Sequence, residues 1–432
     1  MQLTRDGLIQ AYQSYGKPDS QWRVGAEFER HLLGPDGFPL PYYGEPGVRW
    51  LMLRFGDRGW TPTMEGEFPI AMSKDGGQIT LEPGGQFELS GAPWSDVSGV
   101  DAELARFNAE VDELLEGTGY RQVALGFTPF ARIPDIPWVP KGRYSVMREH
   151  LAETGKLAHH MMKGTCATQA SYDFRDEADC ARKVRLAIGL GPLTTAMFAN
   201  SPIAEGVDSG WASFRGHIWT QTDPRRTGFP EAATDFTFER WVDYLLDVPM
   251  MFIKRNGTYH WAHGRTFRDW LTDPVDPPTT DDWDLHLTSV FPEVRIKQTI
   301  EVRGADCVGR PLAMAFTALF EGLFYCGQAR DEAEALTAEF VSHGDKDARF
   351  EIACRSGLRG EIGGVRLATW AEKLVDIAGA SLDRCRPGDR KWLAPLVSLI
   401  ERGESPAESV RRAFAEDPTP AVLSRFHIDG HR

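Results

Sequence analysis

Residues 81–91 read LEPGGQFELSG, and the way they pair decides the fold. Pro83-Gly84-Gly85 is turn chemistry: proline presets one dihedral, and glycine takes the positive φ that other residues avoid. Strand side chains alternate between faces, so the parity of residue number sorts the flanks of the turn. Glu82, Gln86 and Glu88 fall on one side, and Leu81, Phe87 and Leu89 on the other. The stretch therefore reads as two antiparallel strands with one apolar face and one face rich in carboxylates.

The same alternation recurs along the chain. In RVGAEFER (23–30), Val24, Ala26 and Phe28 oppose Glu27 and Glu29. In TCATQASYDF (165–174), Thr165, Gln169, Ser171 and Asp173 oppose Cys166, Ala170, Tyr172 and Phe174. VRIKQTIEVR (294–303), read as one strand, sets Val294, Ile296, Ile300 and Val302 against Arg295, Lys297, Thr299, Glu301 and Arg303. A sheet with one face in water gives the same pattern. Here, however, the polar face repeats glutamate beside glycine and arginine, not the Lys/Thr/Ser mix of a solvated sheet. Carboxylates converging on one concave face repel each other unless cations sit among them. Oxygen-ligating Mg²⁺ or Mn²⁺ answers that need, and such ions are often shared with substrate phosphates.

Around these strands the chain alternates helices and loops. A helix capped by Thr4 opens it; residues 34–77 are rich in Gly and Pro and read as an irregular excursion or lid. A helix is expected over 101–117, a strand over 121–127, helical patterns over 144–162, and a long helix over 176–200 broken near Gly189-Pro192. Residues 201–240 look loop-rich. The apolar run PLAMAFTALFEGLFYC (311–326) contains Glu321 and is too short to span a bilayer, so it reads as a buried helix. The expectation is one α+β domain over 1–432, with a mainly helical part from about 305 onward.

The 432 residues are 42% hydrophobic and 25% charged, ordinary values for a globular protein with a large core. A formal charge of −14 disfavours nucleic acid and anionic membranes as partners. An anionic substrate would need local arginines. PKGRY (140–144) offers Arg143, and SFRGHIWTQTDPRRTG (213–228) offers Arg215 beside Trp219, with Arg225 and Arg226 reading as surface ion pairs. His159-His160 and the aromatics of 267–291 read as structural. No P-loop, HExxH or dinucleotide fingerprint occurs. The N-terminus resembles neither a signal nor a transit sequence, and six cysteines without a CxxC pair suggest a reducing, cytoplasmic compartment.

The ordered series LEPGGQFELSGAP, PKGRYSVMR, TCATQASYDF, FANSPIAEG, FRGHIWTQTDPRRTG, VDYLLDVPM and DDWDLHLTSVFPEVRIKQTIEVRGAD resembles glutamate–cysteine ligases of the plant and proteobacterial type. That resemblance implies a glutamine-synthetase-like fold, a curved, mainly antiparallel sheet whose concave face holds the site, surrounded by helices. It implies ATP-dependent ligation of glutamate to cysteine through an acyl phosphate, giving γ-glutamylcysteine for glutathione, in a monomer or weak homodimer. A different amine acceptor, or a non-catalytic glutamate- or nucleotide-binding relative, are the alternatives. By motif, Glu27, Glu29, Glu82, Glu88 and Glu301 would ligate Mg²⁺ (or Mn²⁺), with Gln169 beside them. Arg303 would face the transferring phosphoryl group, with Glu88 sharing the catalytic role. Arg143, Arg215 and Trp219 would hold the amino acid. Residues 34–77 match nothing in the pattern, and the cysteines do not match the pairs that plant members use for redox control.

Overall fold

The computed structural model describes residues 3–430, so the outermost residues of the expected single unit lie outside the described residues. Nine strands form one sheet: β1 (Val24–Leu33), β2 (Thr61–Glu65), β3 (Phe68–Lys74), β4 (Gly77–Leu81), β5 (Phe87–Ser90), β6 (Arg121–Val123), β7 (Ala167–Tyr172), β8 (Val294–Ile296) and β9 (Ile300–Asp306). Their order is β8-β9-β7-β1-β5-β4-β3-β2, with β6 on the end of β1, and every pairing is antiparallel.

The LEPGG turn closes β4 onto β5. Gly85 N–H donates to the Glu82 carbonyl at 2.9 Å, and Gly85 takes φ of 87°, a conformation glycine alone adopts freely. A Cβ on Gly84 would lie 2.4 Å from the Lys163 carbonyl oxygen, so this glycine lets two backbones meet. Gln86 serves the same junction. Its amide oxygen accepts from Gly84 N–H, and its nitrogen donates to the carbonyls of Met162 and Thr165. Contrary to the parity reading, Gln86 belongs to the turn and not to the carboxylate face.

The odd-numbered flank of the turn is core. Phe87 stacks on Phe107 of the Val97–Leu115 helix with centroids 6.0 Å apart, and Phe55 packs against both rings. On β7, the Tyr172 hydroxyl donates to the Thr317 carbonyl at 2.8 Å, and its ring meets Phe324 edge-on. Those partners lie on the Arg310–Phe324 helix, which is buried as expected. Each ring so enclosed contributes about 1.5–3 kcal/mol. Among the described residues no single helix is long and apolar enough to cross a membrane.

Several expectations need correction. Residues 34–77 are not loop throughout: a helix (Val48–Gly56) and strands β2 and β3 extend the sheet. TPTME of β2 is exposed along most of its length and has no apolar face, so periodicity could not reveal it. VRIKQTIEVR is a hairpin, turning over 297–299. Its faces survive because opposed residues share parity, Arg295 against Glu301 and Ile296 against Ile300. The Glu177–Phe198 helix continues through Pro192 without a break. Residues 201–240 include the helix Phe214–Thr220 that carries Arg215 and Trp219. All six cysteines are free, and five are buried.

Arg226, expected at the surface, is fully buried. Its guanidinium donates to Asp223 at 2.7 Å, to the Ser289 carbonyl at 3.0 Å and to the Pro249 carbonyl at 2.8 Å, tying three segments together. Removing one partner of a buried ion pair strands the other charge. Arg226→Leu should therefore destabilise the protein by about 3–5 kcal/mol, read from urea unfolding. Arg225→Ala, at an exposed position, serves as the control with a small change.

Candidate active site

Register brings the glutamates together. Glu29 on β1 lies directly opposite Glu88 on β5, and Glu27 lies opposite Gln169 on β7. Like charges facing each other across a ladder are destabilising, so the Glu29–Glu88 pair is costly for the sheet alone. Each carboxylate is held by neutral donors. Glu29 accepts from Ala167 N–H at 2.6 Å and from the Gln169 amide at 3.1 Å. Glu88 accepts from the Thr80 and Ser90 hydroxyls at 2.6 and 2.8 Å. The side chains of Glu27 and Glu82 have no hydrogen bond or ion pair among the described residues.

The protonation balance records the crowding. Burial, then Glu301 and Glu88, push the Glu27 carboxyl up to about 8. Burial, then Glu82 and Glu88, hold Glu29 well above the ordinary range, and burial with Glu88 raises Glu82. Glu27 and Glu29 thus favour their protonated forms.

Glu301 behaves differently. Arg295 grips it with Nε at 2.7 Å and Nη2 at 3.0 Å, and Arg303 Nη1 adds a bond at 2.6 Å. Burial alone would raise its pKa, but Arg295 and Arg303 outweigh it and hold the carboxyl well below the ordinary range. Glu301, expected as a metal ligand, therefore has both oxygens committed to guanidiniums and orients Arg303. Arg303 also donates to the Gln169 amide oxygen, so Gln169 links Arg303 to Glu29.

Two ends of the face differ in chemistry. At the Glu27 end, a cavity of about 400 Å³ is lined by Tyr15, Trp283, Lys297, Glu27 and Glu301. The opposite end gathers the other cations. Arg215 is buried, donates to the Arg303 carbonyl at 3.0 Å and lies 3.9 Å from Asp306. Arg143 sits beside the Tyr144 ring with its Nε enclosed and unpartnered, and Glu82 is among the charges facing it. Trp219 likewise keeps an enclosed indole N–H without a partner. The structure thus brings nine of the ten expected residues to one face or its two ends, and Trp219, on the helix of Arg215, lines a cavity with Glu293.

Sequence reasoning missed Glu293, Lys141 and the anchoring role of Arg295. Glu293 is buried beside Arg215 and Arg303, and burial raises its pKa. Lys141 faces Glu82 and Glu88; burial and Arg143 lower it to about 8. The basic–acidic alternation of FPEVRIK and the lysine of PKGRY were the available signals.

A family model described as glutamate–cysteine ligase family 2 (GCS2) matches residues 23–425. This chain belongs to that family. The chloroplastic glutamate–cysteine ligase of Brassica juncea is 37% identical over 420 residues, covering 95% of this chain and 81% of the relative. Chloroplastic glutamate–cysteine ligase B of Oryza sativa subsp. japonica is 35% identical over 421 residues, covering 95% and 84%. Among solved structures, the glutamate–cysteine ligase of Francisella tularensis in complex with AMP matches with a TM-score of 0.58. At 12% identity it covers 94% of this chain and 89% of that one, and it shares the fold. The ligase thus has the expected α+β architecture built on an antiparallel sheet. The expected cytoplasmic compartment does not stand, because both plant relatives are chloroplastic enzymes. Scattered cysteines bear on redox state and do not distinguish one reducing compartment from another.

The raised carboxyl of Glu27 gives a pH test of the free ligase. Its folded value of about 8 exceeds the ordinary 4.5, so the stability it contributes is fully present below about 4.5 and lost as pH rises through about 8. With divalent cations chelated, Glu27→Gln should melt higher than the parent at pH 8.5, whereas the two should nearly coincide at pH 4. Scanning calorimetry reads the difference, and no gap at pH 8.5 would contradict it.

Proposed function

We infer that this chain joins the side-chain carboxylate of glutamate to the amine of cysteine at the expense of ATP, giving γ-glutamylcysteine, the first step of glutathione synthesis. The observation that carries the reading is the family match over 23–425; it is supported by the register that sets Glu29 opposite Glu88 and Glu27 opposite Gln169. The divalent ions suited to that face are Mg²⁺ and, alternatively, Mn²⁺. The donors are all oxygen, the carboxyls are pushed up by burial and then by one another, and hard cations match that chemistry. Among the described residues only Asp112, His427 and Asp429 bring three ligand atoms within 4.8 Å of one another. No three of the concave-face glutamates do so, which favours ions held by one or two carboxylates and completed by phosphate oxygens. Glu27, Glu29, Glu82 and Glu88 are the residues that would hold them. Bound there, Mg²⁺ would offset the negative charge of the phosphates during transfer.

The protein's own groups divide the remaining work. The nucleotide fits the Glu27 end, where Tyr15 and Trp283 offer rings to the base and Lys297 a charge to the phosphates. Glutamate fits the opposite end, its α-carboxylate on Arg143 and Arg215 with Trp219 beside it. Between the ends, Arg303 faces the γ-phosphoryl group as it passes to the glutamate side chain. Glu301 and Gln169 fix that guanidinium before charge develops, which is electrostatic preorganisation. Cysteine's amine then displaces phosphate from the acyl phosphate, forming the amide.

ADP release with glutamate and a panel of amines tests the reading. Cysteine should stimulate it most; no stimulation by any amine would overturn the ligase activity, and preference for another amine would reassign the acceptor. Glu88→Gln should lower kcat about a hundredfold or more while leaving the circular dichroism spectrum unchanged. Parental Mg²⁺-dependent turnover in that variant would remove Glu88 from the catalytic set.

A further inference from the structure

The helix Gly142–Thr154 starts without a cap of its own: Lys141 stands at the cap position and makes no side-chain cap hydrogen bond. First-turn N–H groups of a helix need acceptors, and a carboxylate also meets the positive end of the helix dipole. Here the acceptor comes from 77 residues away. Glu65, where β2 turns into β3, accepts the Gly142 N–H through Oε2 at 2.7 Å. On the other side stands Tyr259, from the hairpin Phe252–Arg255/Thr258–Trp261. A Cβ on Gly142 would lie 3.1 Å from Tyr259 Cδ2 and 3.2 Å from Glu65 Oε2, so two hairpins close on this one residue. The inner side of the turn is tied to the LEPGG corner. The Tyr144 hydroxyl donates to the Leu81 carbonyl, and Val139 N–H donates to the Pro83 carbonyl at 2.9 Å. Arg143, the next residue, carries an enclosed Nε with no partner.

We propose that Glu65 is a positioning residue: it caps the 142–154 helix from outside and so fixes Arg143 for the carboxylate of the amino-acid substrate. This gives the 34–77 segment a task in the reaction, and it rests on the reading of Arg143 as the glutamate clamp. Glu65 touches no substrate; it acts through the backbone of Gly142. Losing an N-terminal acceptor carries a typical cost that corresponds to about a fivefold change in an equilibrium constant. Glu65 is half-exposed, so its replacement leaves the core untouched.

The experiment is steady-state kinetics on Glu65→Ala, Glu65→Gln, Arg143→Gln and the double variant Glu65→Ala/Arg143→Gln of the full chain. Glu65→Ala should raise the KM for glutamate about fivefold, with the ATP KM and kcat unchanged. Glu65→Gln should stay near the parent, because its amide oxygen still accepts from Gly142. In the Arg143→Gln background, Glu65→Ala should add nothing further. If Arg143→Gln raises the glutamate KM and Glu65→Ala does not, the clasp is overturned and the clamp stands. An equal rise in both backgrounds, or a matching rise for ATP, also overturns it. An unchanged glutamate KM in Arg143→Gln removes the clamp reading, and the clasp with it.

Discussion

Glu29 and Glu88 face each other across neighbouring strands, and the rest of the site follows from that opposition. Sheet stability alone would place an ion pair or a polar–neutral pair there. Instead two carboxylates are held in place by Ala167 N–H, Gln169, Thr80 and Ser90, none of which carries a charge. The fold supplies position, and nearby Arg215 and Arg303 offset only part of what burial and the other glutamates impose on Glu29. Glu27 and Glu82 extend the same field, and burial together with the neighbouring glutamates raises both carboxyls. A face so arranged offers oxygen donors of the kind that hard divalent cations take.

The arginines are disposed on the opposite principle. Arg295 and Arg303 satisfy Glu301 completely, leaving Arg303 oriented and fully charged. Arg143 keeps an enclosed nitrogen without an internal partner. Paired charges thus set geometry, Glu301 among them although it shares its face with Glu27 and Glu29.

Parity of residue number recovered the apolar and polar faces of β1, β5, β7 and the β8–β9 hairpin, because a buried face forces period-two alternation. It recovered them even where the hairpin was read as one strand, since opposed residues share parity. It failed at Gln86, whose amide is consumed by backbone groups of the turn and of residues 162–165. It also failed on β2, which has no buried face to impose a pattern. Arg226 was misplaced for a related reason: its partners Asp223, Ser289 and Pro249 converge only in the folded chain. Which glutamate meets a guanidinium and which meets another glutamate is set by register, and composition does not encode it.

The raised carboxyls of Glu27 and Glu29 predict that divalent cations with phosphates displace protons from this face. Proton release on binding Mg²⁺ with a non-hydrolysable ATP analogue tests it directly, by titration calorimetry at pH 7.0 in buffers of different ionisation enthalpy. Release of about one proton or more per site is expected, decreasing in Glu27→Gln. Binding with no proton release, or with proton uptake, would contradict it.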